Sequence, residues 1–155
     1  MPLPIHLDDP TEYMVAMAAI MIVGTAVGAG SVFIEKGVES TTAQFPAVIL
    51  TCPRTTIDDM TISPAYQANF SIQVAYLDRW ESSARTLEQC LADAKTALYQ
   101  MARNIRATPD LGFNLTVQAS LHQEIRVNQV TTDLGLGFPL VTGTLINPVK
   151  SQYFY

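Results

Sequence analysis

The chain is short of charge, of cysteine and of basic clusters, and each shortage closes off a class of function. Asp, Glu, Lys and Arg make up 15% of its 155 residues, against about a quarter in an ordinary soluble domain. Much of the surface must therefore be polar without charge, or covered by another molecule, and covered surface points to an oligomer. The nine basic residues are outnumbered by fourteen acidic ones, for a net charge of −5. A nucleic-acid-binding face needs clustered Lys and Arg to neutralise phosphates, and the sequence has no such cluster. Only two cysteines occur, Cys52 in an apolar run and Cys90 beside a helical seam. They read as reduced small hydrophobes, not as a bridge or a metal pair.

Catalytic patterns are missing as well. His6 and His122 are the only histidines, one near the N-terminus and one on the polar side of an alternating run. There is no HExxH, no CxxC, no GxSxG and no glycine loop followed by Lys that would cradle a phosphate. Gly24, Gly28 and Gly30 lack the preceding strand and the GxGxxG order of a dinucleotide site. The expectation is no enzyme activity, no cofactor and no metal. No Lys or Arg precedes Lys36, so the positive start of an export signal is missing and cytoplasmic synthesis is expected.

What the chain does have is one long amphipathic stretch, residues 80–106. Trp80, Ala84, Leu87, Leu91, Ala94, Leu98, Met101 and Ile105 recur in steps of three and four, which lines them along one face of an α-helix with Leu91 near its middle. Ser82 or Ser83 is the expected N-cap, since a hydroxyl there can accept the unpaired N–H groups of the first turn. Arg103 and Arg106 suit the negative end of the helix dipole, and Pro109 and Gly112 end the helix. A helix apolar along one side needs a sheet or other helices over that side.

Upstream, Asp8, Asp9, Pro10, Thr11 and Glu12 form a helix start. From Tyr13 to Ile34 no charge occurs over 22 positions, long enough to weigh a membrane span anchoring a small domain. The glycines and the lack of a flanking basic residue favour instead a buried helix over about 10–23, a glycine-rich turn, and a short strand over 31–35. Met14, Met17 and Met21 are then core or subunit-contact fillers.

The rest reads as strands. Residues 45–52, an apolar run between Pro46 and Pro53, predict a central strand buried on both faces. Residues 54–64, with Asp58 and Asp59, predict an exposed loop projecting from the sheet. In 66–76 the alternation is clean: Tyr66, Ala68, Phe70, Ile72, Val74 and Tyr76 on one face, Gln67, Asn69, Ser71 and Gln73 on the other. The same period recurs over 113–128, as one long strand or two with a bulge near Gln123. A last strand over 138–146 is stopped by Pro148, leaving 148–155 as an aromatic tail. The fold class is α+β, a mixed or antiparallel sheet packed against one long amphipathic helix, with an additional N-terminal helix. A single domain spans 1–155, its α+β core over about 31–147.

This order of elements resembles the tail terminator proteins of long-tailed bacteriophages. The likeness is carried by 31–35, by 45–52 with its FPAVIL, by 66–78 with FSIQVAYLD, and by the helix 82–106, and it extends over about 10–146. It implies a non-catalytic virion protein of the tail or neck, forming with copies of itself a ring, commonly six-fold. Such a ring sits on the last tail-tube ring, stops tube growth and offers the surface to which the head or its neck attaches. The implied partners are the tail tube protein, a neck or connector protein, and DNA only as it passes through the lumen, which an acidic subunit would keep repulsive. Candidate interface residues are Arg54, Asp58, Asp59, Arg79, Trp80, Tyr153, Phe154 and Tyr155. Related roles as another neck, head-completion or tail-tube component remain open. The Met-rich N-terminal stretch is longer than the family's packing helix needs.

Overall fold

The structure is a computed structural model that describes residues 10–35, 44–59, 65–80, 86–113, 117–119, 122–127, 131–132 and 139–154, with the backbone alone at 59, 65, 66, 131, 132, 153 and 154. In chain order it holds α1 (Thr11–Met21), a 3₁₀ turn (Ala29–Ser31), β1 (Val32–Ile34), β2 (Ala47–Asp59), β3 (Ala65–Arg79), α2 (Leu87–Ala107), β4 (Val117–Gln118), β5 (Glu124–Val127), β6 (Thr131–Thr132) and β7 (Pro139–Phe154). The class is α+β, as expected. The sheet runs β1-β2-β3-β7, and β4, β5 and β6 follow one another along the far edge of β7. Only β1 and β2 are parallel; the other pairings are antiparallel.

The spine of the sheet is the β3–β7 ladder, unbroken from Ala65↔Phe154 to Arg79↔Leu140. Its alternation keeps Ala68, Phe70, Ile72 and Val74 on the same face as Leu145 and Val149, all fully buried. The expected stop at Pro148 is corrected, because β7 continues through it and the residues read as a tail are the end of this strand. The Trp80 amide donates to the Pro139 carbonyl at 3.2 Å, so odd-numbered residues of β7 turn their backbone groups toward β3 and even-numbered ones turn away. Pro148 therefore aims its missing donor at the other edge, where β4 pairs with 150–151 and β5 with 143–146 and position 148 has no partner. A proline in that gap removes no ladder hydrogen bond.

Strand β2 makes the same point. It was expected to end at Pro53 and give way to a loop, yet it runs on to Asp59, slipping register by one residue between Thr51 and Arg54. Pro53 falls in that bulge, where no regular ladder bond is lost. Nor is the strand buried on both faces: Val48 and Leu50 are fully buried, whereas Ile49 and Thr51 on the other side are half-buried. Beyond the bulge β2 is the edge of the sheet, since β1 accompanies it only over 48–50 while β3 stays paired with β7.

Helix α2 begins at Leu87, later than its seam predicts. Thr86 is the N-cap: its hydroxyl accepts from the Gln89 amide (3.2 Å) and the Gln89 side chain accepts from the Thr86 amide (3.1 Å), a reciprocal capping box. Ser82 and Ser83 lie outside the described residues, and Trp80 closes β3 instead of opening the helix. Cys90, Ala94, Leu98, Met101 and Ile105 form the fully buried line, with Leu87 and Leu91 half-buried on its flank. The centre of the seam is Leu98. A Cβ placed on Gly143 of β7 would come within 2.5 Å of Leu98 Cδ1 and 3.4 Å of the Arg126 carbonyl, so helix and sheet meet where β7 has no side chain.

The uncharged N-terminal stretch is not one long helix. Helix α1 has 11 residues, about 17 Å at 1.5 Å each, against about 30 Å of bilayer hydrocarbon. After it Gly24 takes a φ of 76°, and the chain turns back to enter β1. Among the described residues no helix is long and apolar enough to cross a membrane. The apolar content of α1 has another cause, since Met14, Met17 and Met21 are fully buried in the common core, each contributing roughly 1.5–3 kcal/mol by removal from water. Two polar ties hold α1 in place. Tyr13 Oη and Ser151 Oγ are 2.9 Å apart, and Asn104 Nδ2 donates to the carbonyls of Met21 (3.0 Å) and Val23 (2.7 Å) at the end of α1.

Candidate functional site

Helices α1 and α2 share the core with one face of the sheet, and no described helix covers the other. That second face presents Gln67, Asn69, Ser71 and Gln73 from β3 and Thr144, Ile146, Pro148, Lys150 and Gln152 from β7, all half-buried. Alternation dictates this set, since each residue alternates with core residues along its strand. Charge enters this face from the flanking strands: Arg54 stands opposite Ser71 and Asp58 opposite Gln67 on β2, Lys150 opposite Asn69 on β7, and Arg126 opposite Thr144 and Glu124 opposite Ile146 on β5, the last two as an ion pair of 2.7 Å. Near Ala47, Leu77 and Leu140 the same face is buried.

The residues expected to form an interface do not come together. Arg54 and Asp58 are exposed on β2 beyond its bulge. Asp59 is the last residue of that strand. Arg79 and Trp80 sit at the opposite end of β3, Arg79 exposed and Trp80 packed against the core. Tyr153 and Phe154 extend β7, pairing with Tyr66 and Ala65 at the start of β3; Tyr155 lies outside the described residues. The positions thus divide into a group at the start of β3 and an Arg79–Trp80 group, separated by the length of that strand.

Sequence reasoning missed a buried polar clamp between β4 and β5. The register sums show why it is needed: Gln118 pairs with Lys150, but Glu124 with Ile146, so the edge chain uses two more residues than β7 does over the same stretch. Backbone groups in such a break have no ladder partners and need others. Asn147, with no exposed surface, donates through Nδ2 to the Ala119 carbonyl (2.5 Å). Gln123 Nε2 donates to Asn147 Oδ1 (2.8 Å) and to the Ala102 carbonyl on α2 (3.0 Å), while its Oε1 accepts from Arg106 Nε (2.6 Å). Side-chain amides thereby stitch strand edge, central strand and helix together. The bulge expected near Gln123 was the only sequence signal for it.

Two cavities open beside α2. One, of about 390 Å³, lies between the helix and β5 and is lined by Tyr99, Ala102, Arg103, Arg106, Gln123 and Ile125. The other, of about 440 Å³, lies where the turn after α1 meets α2 and includes Asp78, Asp93 and Tyr76. Tyr76 Oη donates to Asp78 Oδ2 at 3.4 Å. Neither Cys52 nor Cys90 is in a disulfide. Among the described residues no three His, Cys, Asp or Glu side chains stand where they could share a metal ion. His122 is exposed. The arrangement is rich in surfaces that could be covered and poor in groups that could react. Neither a scan of the sequence against models of known protein families nor a search of curated proteins gives a match.

Proposed function

We propose that the chain is a structural, non-enzymatic subunit of a bacteriophage tail or neck, a tail terminator that joins copies of itself into a ring of about six on the end of the tail tube. In this reading α2, laid over β7, β3 and β5, is the principal cover of one face of the sheet, and the other face is left to neighbouring subunits. The observation that carries it is that second face. Gln67, Asn69, Ser71, Gln73 and Thr144 form a row of amides and hydroxyls along β3 and β7, with charge only on the strands that flank it and at Lys150, and amides and hydroxyls of this kind lose less than charges do when a partner removes their water. The order of elements supports the same reading. The ring stops tube growth by covering the last tube ring and receives the neck on its opposite side. DNA passes through the lumen without being read, in keeping with the net charge of −5.

The test is made in virions. Antibody against the chain should detect it in purified particles, and deleting its gene should leave full heads and unjoined tails whose tubes vary in length. Particles that lack the protein, or a deletion strain with normal joined virions, would remove the proposal.

A further inference from the structure

Strand β1 accompanies β2 only as far as Leu50, and among the described residues no strand pairs with the outer edge of β2 from Arg54 to Asp58. The Glu35 amide donates to the Leu50 carbonyl at 2.8 Å, so before the bulge the even-numbered residues of β2 turn their backbone groups away from β3. The slip between Thr51 and Arg54 reverses that order. Beyond it Arg54, Thr56 and Asp58 turn their backbone groups to β3, while Thr55 and Ile57 turn theirs outward. An open edge of this kind is a template for another strand. Pro53, which has no N–H to give, closes the template on one side.

The side chains select the strand that fits. Arg54, Thr56 and Asp58 stand on the outer face, opposite Ser71, Asn69 and Gln67. Thr55 and Ile57 stand on the face of Phe70 and Ala68, where Ile57 is left 51% exposed. Arg54 and Asp58 are exposed as well, and among the described residues neither makes an ion pair or a side-chain hydrogen bond. Four residues apart on one strand, about 13 Å at 3.3 Å per residue, they are too distant to pair with each other. A second copy laid antiparallel, Thr56 against Thr56, brings each Arg54 opposite Asp58 of the partner subunit. Registers centred on Thr55 or Ile57 also match the outward backbone groups, but they place Arg54 or Asp58 opposite Thr56 and lose both charge pairs.

We infer that the chain pairs with a second copy of itself through β2, antiparallel about a two-fold axis at Thr56, joining two sheets edge to edge. Thr55 and Ile57 of each copy exchange backbone hydrogen bonds with the partner's Ile57 and the partner's Thr55. Arg54 and Asp58 pair across the closer, non-hydrogen-bonded positions, and the two Ile57 side chains stand diagonally on the helix side of the joined sheet. A two-fold contact is complete at two copies. The inference therefore goes beyond the ring reading and does not rest on it, for it gives the free subunit a partner at the sheet edge and leaves the amide row of β3 and β7 uncovered.

Disulfide trapping on the full chain reads the register. Over Cys52→Ser, Thr56→Cys should give one linked dimer and nothing larger on oxidation at millimolar protein, because the two copies of residue 56 face each other about 4.5 Å apart at Cα, within reach of a disulfide. Thr55→Cys and Ile57→Cys should link far more slowly. Arg54→Glu and Asp58→Arg should each weaken the dimer by about tenfold or more in sedimentation equilibrium, and the double variant, or an equal mixture of the two single variants, should restore it. In hydrogen exchange followed by NMR, the Thr55 and Ile57 amides should slow as protein concentration rises. A monomer at millimolar concentration with no Thr56→Cys product would overturn the inference. So would faster linking at Thr55→Cys or Ile57→Cys, or charge variants that dimerise like the wild type. Thr55 and Ile57 amides already protected in the dilute monomer would overturn it too, since the chain would then cover this edge itself.

Discussion

On one face of the sheet Phe70, Ile72, Val74 and Leu145 are closed off from water by two helices; on the other, Ser71, Gln73 and Thr144, their immediate neighbours in the chain, are half-buried with no described helix over them. The same strands build both faces, so backbone and propensity are held constant and only the alternating side chains differ. The inner face carries the folding energy, about 25 cal/mol for each Å² of apolar surface removed from water. The outer face contributes little to folding by itself, and in the proposed ring its composition answers to the neighbouring subunit that covers it. Amides and hydroxyls suit that role, being soluble when free and able to pair when covered.

The contrast is broken most directly by charge on the inner face. Leu98→Asp places a carboxylate against β7 at Gly143 and should cost more than about 4 kcal/mol, leaving the protein insoluble; soluble Leu98→Asp with a wild-type melting curve would mean that α2 does not cover the sheet. Next in size is the polar clamp. Asn147→Ala strands the Ala119 carbonyl in a buried place and takes one of the two acceptors of Gln123 Nε2, an expected loss of about 1–3 kcal/mol, read as a lower urea midpoint at unchanged slope. Gly143→Ala sharpens the picture of how closely helix and sheet approach. It forces Leu98 aside in a filled core, for about 1–3 kcal/mol, and in a double-mutant cycle its cost should shrink in a Leu98→Ala background. Thr86→Ala removes half of the capping box, for about 1 kcal/mol, visible as a small drop in melting temperature with the fold retained.

Much of this division could be read in the chain itself. The two-residue period of 66–76 assigned each β3 side chain to its face, and the three-and-four spacing of α2 found its buried line, although the centre lies at Leu98 and not Leu91. The start of α1 and the short strand after the glycines were legible for the same reason, because local pattern and tertiary placement agree there. The two prolines do not stop their strands. Pro53 sits in a bulge and Pro148 faces a gap in the neighbouring edge, and whether a missing N–H matters depends on the partner strand, which local sequence does not contain. The cap at Thr86 was passed over for Ser82 and Ser83, since a hydroxyl is a signal only when the glutamine three residues on can reach back. The clamp of Asn147, Gln123 and Arg106 joins side chains well separated in sequence, and the bulge expected near Gln123 was its only local signature.

The interface positions fared differently. Arg54, Asp58 and Asp59, expected in an exposed loop projecting from the sheet, lie instead along β2 and pair with β3, and only the exposure of Arg54 and Asp58 is retained. Tyr153 and Phe154, chosen as a terminal docking tail, continue the central strand. Their backbone has a structural duty as partner to β3, whatever their side chains contact in an assembly.

The central claim, that the inner face folds the subunit and the outer face assembles it, comes down to one substitution measured twice. Gln73→Glu puts a charge into the uncharged row of the outer face, between Thr51 and Ile146, where it should change monomer stability by less than about 0.5 kcal/mol. A deletion phage complemented with this variant should nevertheless fail to carry the protein in purified virions. Wild-type incorporation of Gln73→Glu, at unchanged stability, would show that the outer face looks onto solvent and would contradict the account.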